Sequence, residues 1–272
     1  MLDLSHPENL KRHLRKYGLT AKKNFGQNFL IDRQVLEQIS SAARLKSSDH
    51  VIEIGSGPGV LSQHLAPKCG HLTSLEIDPG FINPWKELMK DYPNAEIIRT
   101  DVLDYIPADR PYQLIANIPY SITSPILRHF LRNQVVRRPE TIVLMIQKEV
   151  AERICSEKKP TLLSWEIRIF GVPEIICKAP PESFFPPPKV DSAVLKISLH
   201  DTPLIPAEQQ EGYFQLLERA YKQPRKTLLN NLSAAWGKEV ARAVLEKSQL
   251  DGGRRPHQLS REEWLRILDS KS

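Results

Sequence analysis

Cysteine is scarce in this chain. Its three copies, Cys69, Cys155 and Cys177, lie far apart and form no CxxC pair, which argues against both a disulfide framework and thiolate metal ligation. The eight histidines show neither an HExxH pattern nor a paired spacing, so no metal site is expected. No apolar run reaches the roughly eighteen residues of a membrane span, and no signal-like apolar stretch precedes a cleavage site. Internal repeats and low-complexity tracts are missing too. These absences lead us to expect a cytoplasmic protein with reduced thiols, no metal, no membrane contact and a monomeric state.

Acid is locally short where base is plentiful. Lys11, Arg12, Arg15, Lys16, Lys22 and Lys23 face only Asp3 and Glu8 within residues 1–30, and the stretch Arg219–Lys226 has no acid at all. With a net charge of +6 this favours a polyanionic partner. A length of 272 residues accommodates one domain of about 200 residues and a smaller one.

The apolar spacing gives an order of elements. A helix opens at Ser5-His6-Pro7-Glu8 and stops at Gly18, and Asp32 caps another that turns Val35, Leu36, Ile39 and Ala43 inward. Strands follow at 51–54, 72–76, 95–98 and 114–116, and the unbroken apolar run Thr141–Ile146 reads as a strand buried on both faces. Helices alternate with these strands, which predicts a parallel α/β sheet, with strands 174–178 and 192–199 at its edge. Past Thr202-Pro203 the pattern is helical. We therefore expect an α/β, Rossmann-like domain over 1–200, with a basic extension over 1–30, and a small all-helical domain over 201–272.

Chemistry concentrates at strand ends. Gly55-Ser56-Gly57-Pro58-Gly59 directly follows a strand and opens a helix, and Glu76 ends the next strand 21 residues after Gly55. A carboxylate there can accept from two ribose hydroxyls. The third glycine of a pyrophosphate loop is missing and no basic cluster for a diphosphate lies nearby. The composition therefore favours S-adenosylmethionine over a dinucleotide. Asp101, just past the third strand, can accept from an adenine amine while Val102 packs on the ring; a helix cap is its competing role. Asn117-Ile118-Pro119-Tyr120 ends the fourth strand, and Pro119 makes that turn stiff. A stiff turn can aim a carboxamide, a carbonyl and a phenol ring at one adenine. The mixed segment Lys22–Leu30 reads as an ordered loop touching a ligand.

Taken together, Phe25-Gly26-Gln27-Asn28-Phe29-Leu30, Gly55–Gly59, Glu76, Asp101, Asn117–Tyr120, Gln147–Val150, Phe184–Ser192, Gln223–Leu232 and Leu259–Leu268 resemble the ribosomal RNA adenine N6,N6-dimethyltransferase family, in its bacterial KsgA type. The resemblance runs over nearly the whole chain. It implies a class I methyltransferase domain followed by a helical RNA-binding domain. It also implies dimethylation of two adjacent adenosines in the hairpin loop near the 3′ end of small-subunit (16S) rRNA, during subunit assembly. Its cofactor wall would comprise Gln27, Asn28, Leu30, Gly55, Gly57, Glu76, Ile77, Asp101, Val102 and Asn117. Tyr120 and Phe184 would sandwich a flipped base, with Asn117 and the Ile118 carbonyl accepting from its N6, while core packing is the role expected of at least one of Phe184 and Phe185 in their proline-rich loop. Lys22, Lys23, Lys148, Arg225 and Lys226 would meet phosphates. Departures from the family pattern fall at Pro160–Ser164, at Pro224 and at Ser56. Competing functions are a large-subunit rRNA dimethyltransferase of the macrolide-resistance type, a non-catalytic nucleic-acid-binding relative, and an NAD oxidoreductase.

Overall fold

The computed structural model describes residues 2–22, 26–133 and 137–271. They form two compact units, residues 1–152 with 171–200, and residues 153–170 with 201–272.

In the first unit the chain runs α1 (Pro7–Lys16), β1 (Phe29–Leu30), α2 (Arg33–Ala43), β2 (His50–Ile54), α3 (Val60–Leu65), β3 (His71–Glu76), α4 (Ile82–Leu88), β4 (Ala95–Arg99), β5 (Gln113–Asn117), α5 (Thr123–Arg128) and β6 (Thr141–Gln147), and α6 (Lys148–Cys155) begins there and continues into the second unit at Arg153. After α7 (Leu162–Arg168), which sits in the second unit, come β7 (Gly171–Ala179), β8 (Phe184–Phe185) and β9 (Ser192–Leu199). Seven strands make one sheet in the order β4-β3-β2-β5-β6-β9-β7, parallel from β4 to β6, with β9 antiparallel to both β6 and β7.

Local sequence explains these elements. β2 throughout, β5 as far as Ala116 and the middle of β6 are buried, as central strands between helical layers demand. Asp32 caps α2 by accepting from the N–H groups of Gln34 and Val35. The cap of α1 differs from expectation. His6 takes the N-cap position without a side-chain bond, and the Ser5 hydroxyl donates to Asp3 Oδ1 at 2.6 Å instead.

Strand order carries the functional consequence. From β2 the chain moves outward through β3 and β4, then returns to the other side of β2 with β5. That reversal opens a crevice beyond the carboxyl ends of β2 and β5, where ligands of open α/β sheets bind. Register Ile54↔Ala116 brings Gly55 and Asn117 side by side at its floor.

The second unit comprises α7, α8 (Ala207–Ala220), α9 (Leu228–Trp236), α10 (Lys238–Lys247) and α11 (Arg261–Lys271). Its membership corrects the expected contiguous division at 200/201, because residues 153–170 pack with 201–272. Trp165 Nε1 donates to the Tyr221 hydroxyl at 3.1 Å, which in turn donates to the Pro160 carbonyl at 2.8 Å, both bonds buried. The departure at Pro160–Ser164 thus builds a helix start, with Thr161 and Ser164 forming a reciprocal capping box. Ser260 and Glu263 do the same for α11. No helix of the described residues is long and apolar enough to cross a membrane.

Candidate active site

A cavity of about 300 Å³ occupies the crevice, lined by residues from Gly26–Leu30, Ile54–Leu61, Leu75–Ile77, Thr100–Leu103 and Asn117–Ile122. Four of these segments follow the carboxyl ends of β2, β3, β4 and β5, so the sheet positions those walls, while Gly26–Leu30 comes in with β1, which pairs with β8. Gly55 adopts φ +71°, and a Cβ there would project into space, with only the Asn117 carbonyl at 4.0 Å. Gly57, at φ +50°, lies under the Phe29 ring, 3.1 Å from where its Cβ would be. Only glycine allows both the left-handed backbone and these close approaches.

Glu76 is buried at the wall. Its Oε2 accepts from Gly57 N–H at 2.7 Å and its Oε1 from Asp78 N–H at 2.8 Å. A carboxylate offers about four lone-pair sites, so two remain for hydroxyl donors. Burial pushes its carboxyl above the ordinary value against the pull of those amides, and the Asp78 charge adds to the rise. A nearby cationic ligand would favour the ionised form.

Asp101 makes both predicted kinds of contact possible. Its Oδ1 accepts from Leu103 N–H at 2.9 Å, an Asx turn, while the residue also lines the cavity. Ile77 and Leu103 stand at the same wall 50% and 40% exposed. Large apolar side chains left in solvent beside the buried Glu76 and the half-buried Asp101 suit a planar, partly apolar ligand such as adenosine.

Asn117 Nδ2 donates to the Asn28 carbonyl at 2.8 Å. The donor end of the carboxamide is thereby fixed to the N-terminal segment, which leaves its oxygen as the end able to accept from a ligand. The Tyr120 hydroxyl pairs with Ser192 Oγ at 2.5 Å; burial raises the phenol pKa and that bond opposes the rise. Ser192 is fully buried, so it holds the ring from behind.

Gln27, Asn28, Leu30, Gly55, Gly57, Glu76, Ile77, Asp101, Val102 and Asn117–Tyr120 all line the cavity. Phe184 does not, which corrects its expected place against the base. It is 3% exposed and sits in the hydrophobic core, where β8 pairs with β1 in the register Leu30↔Phe184. The phosphate-contact set also divides. Lys22 Nζ lies 2.7 Å from Asp78 Oδ2, and Lys148 Nζ lies 3.0 Å from Asp191 Oδ2. Lys23 is outside the described residues. Arg225 and Lys226 are exposed on the turn before α9, whose backbone is closed by Asn231 through bonds to Gln223 N–H and to the Gln223 carbonyl. The reading of the sequence missed Thr100, Leu103 and Ile122 in the wall. Only their position beside motif residues could have found them.

One electrostatic fact characterises the cavity. Among the described residues that line it there are two carboxylates, Glu76 and Asp101, and no Lys, Arg or His. Such a wall repels a diphosphate and attracts a cation. Among the described residues no group of three or more His, Cys, Asp or Glu is arranged to hold a metal ion.

Known proteins give the same picture. The profile of the family described as "Ribosomal RNA adenine dimethylase" matches residues 18–272. The ribosomal RNA small subunit methyltransferase A of Dehalococcoides mccartyi strain BAV1 is 39% identical over 265 residues, covering 94% of this chain and 90% of that protein. The crystal structure of the 23S rRNA methyltransferase ErmE superposes with a TM-score of 0.72 at 28% identity, covering 89% of this chain and 99% of that one. A dimethyladenosine transferase from Plasmodium falciparum gives a TM-score of 0.73 at 27% identity, with 88% and 95% covered. This chain belongs to the ribosomal RNA adenine dimethylase family.

Proposed function

We propose that this protein uses S-adenosylmethionine to dimethylate N6 of two adjacent adenosines in the hairpin loop near the 3′ end of small-subunit rRNA, during subunit assembly. The observation that carries the donor's identity is the cavity wall with two carboxylates and no cation among its described residues. When bound, the donor supplies an electrophilic methyl group on a cationic sulfur.

The protein's own groups supply position. Glu76 accepts from the ribose hydroxyls with the lone pairs that Gly57 and Asp78 leave free. Asp101 accepts from the donor's adenine amine, and Ile77, Val102 and Leu103 flank the ring. The target adenosine must leave its stack to reach a buried methyl group. Tyr120, braced by Ser192, offers the stacking face. The Asn117 oxygen and the Ile118 carbonyl accept from N6, turning the nitrogen lone pair toward the incoming carbon. No strong base is required, since the amine can release its proton after the bond forms. Catalysis is then chiefly orientation, which can supply several kcal/mol. Arg225 and Lys226, held out on a turn that Asn231 closes, bind RNA phosphates.

The test is methyl transfer in vitro to immature small subunits and, separately, to large-subunit rRNA, followed by digestion and mass spectrometry. Two adjacent N6,N6-dimethyladenosines in the small-subunit hairpin are expected. Modification of large-subunit rRNA alone would shift the assignment to the resistance type.

A further inference from the structure

Asp78 lies outside the cavity wall, yet it joins two parts of that wall. Its side chain is only 2% exposed. One oxygen, Oδ1, caps the short helical turn Pro79–Phe81 by accepting from Gly80 N–H at 3.0 Å. The other, Oδ2, takes Lys22 Nζ at 2.7 Å and Gln27 Nε2 at 3.5 Å. Gln27 Oε1 accepts in turn from Lys22 N–H at 2.8 Å, so the three side chains close a ring. On its other side, Asp78 donates its backbone N–H to Glu76 Oε1. A continuous path therefore runs from Lys22 and Gln27 through Asp78 to Glu76 and on to Gly57.

A buried carboxylate without a partner is costly, and Asp78 is the buried member of this pair, while the Lys22 side chain is 44% exposed. Burial alone would push the Asp78 carboxyl up, but Lys22 and the Gly80 amide outweigh it and hold the carboxyl below its ordinary value. Gly26, Gln27, Asn28 and Glu76 all line the cavity. Asn28 is also the residue whose carbonyl receives the Asn117 carboxamide.

We infer that Asp78, with Lys22 as its counter-ion, is a positioning residue that clasps the Gly26–Asn28 wall to the ribose-binding Glu76, and that this clasp sets the affinity for the methyl donor. Lys22 then serves the cofactor rather than RNA. The inference rests on the reading of the cavity as the donor site.

Full-length wild type, Asp78→Asn, Lys22→Met and Lys22→Arg are titrated calorimetrically with S-adenosylmethionine, alongside RNA affinity at two salt concentrations and melting temperature. Expected is a donor affinity about tenfold weaker in Asp78→Asn and in Lys22→Met, recovered in Lys22→Arg, with RNA affinity and its salt slope unchanged. Donor affinity within twofold of wild type in both weakened variants would overturn the clasp, even if their melting temperatures fall. Weaker RNA binding in Lys22→Met with unaltered donor affinity would also overturn it and return Lys22 to the RNA surface. Failure of the wild type itself to bind the donor would instead remove the reading of the cavity, and the clasp with it.

Discussion

The two ends of the central sheet carry similar side chains and do different things. At the amino end, His50, His71, Thr73, Glu96 and Arg110 bond one another, while the buried His50 Nδ1 has no hydrogen-bond partner among the described residues. His50 Nε2 meets Thr73 Oγ1 at 3.0 Å and Arg110 Nη2 at 3.1 Å, Thr73 donates to Glu96 at 2.9 Å, and His71 reaches the same Glu96 oxygen at 3.1 Å. At the carboxyl end, Glu76, Asp101 and Asn117 are each held by backbone partners on one side and border the cavity on the other. Burial, then the Arg110 and His71 charges, push His50 down to about 4, one of the larger displacements in the molecule, yet His50 is not among the residues lining the cavity. A perturbed titration points to a functional site where the group also borders a cleft.

Breaking the carboxyl end should cost most. Asn117→Ala removes the N6 acceptor and the bond to Asn28. Methyl transfer is expected to fall at least about 100-fold, or ~2.7 kcal/mol, while RNA affinity survives. Turnover within a few-fold of wild type would refute the role given to the tetrapeptide.

The next effect comes from a buried acid between the two ends. Glu53 is 1% exposed, accepts from the Ser62 and Ser74 hydroxyls at 2.5 Å each, and is pushed up to about 7, chiefly by burial. Its folded pKa exceeds its unfolded value of 4.5, so the native state binds the extra proton between those limits. Stability therefore falls as pH rises across that window. Urea unfolding at pH 5 and pH 8 should show Glu53→Gln gaining about 2–3 kcal/mol relative to wild type between the two. An equal difference at both pH values would mean that Glu53 titrates normally.

Reversing charge in the second unit should do less. Arg225→Glu with Lys226→Glu is expected to weaken rRNA binding about tenfold at low salt and to reduce the salt slope by about two, one for each lost phosphate contact. Equal affinity at low salt would remove this turn from the RNA surface. Smallest of all should be His50→Gln at the amino end, with methyl-transfer rates within twofold of wild type. A large loss there would erase the distinction between the two ends.

Much of this arrangement is legible in the chain because it is written locally. A glycine turn after an apolar run, an acid at the next strand end and a proline-stiffened Asn-Ile-Pro-Tyr each declare a strand terminus within a few residues. The sheet then gathers strand termini at one edge, and all of these residues reach the same cavity. Contacts between distant segments leave no such trace. Phe184 reads as a stacking ring because its motif is exposed in sequence, yet a two-residue pairing with Leu30 buries it. Lys22 reads as an RNA contact because its partner Asp78 lies 56 residues away. Asp78 caps the turn Pro79–Phe81 with one oxygen, and its other oxygen meets Lys22, a pairing that nothing local in the chain announces. Residues 153–170 follow the sheet in sequence, and it is contacts such as the Trp165–Tyr221–Pro160 chain of bonds and the Phe170–Phe214 ring pair that place them with the helices.

The central claim is that a wall bearing two carboxylates and, among its described residues, no cation selects a positively charged adenosine donor over a diphosphate. Calorimetric titration of the wild type with S-adenosylmethionine and with NAD, under identical conditions, tests it directly. Saturable binding of S-adenosylmethionine with no detectable heat from NAD is the expected result; NAD binding as tightly as the sulfonium, or more so, would contradict it.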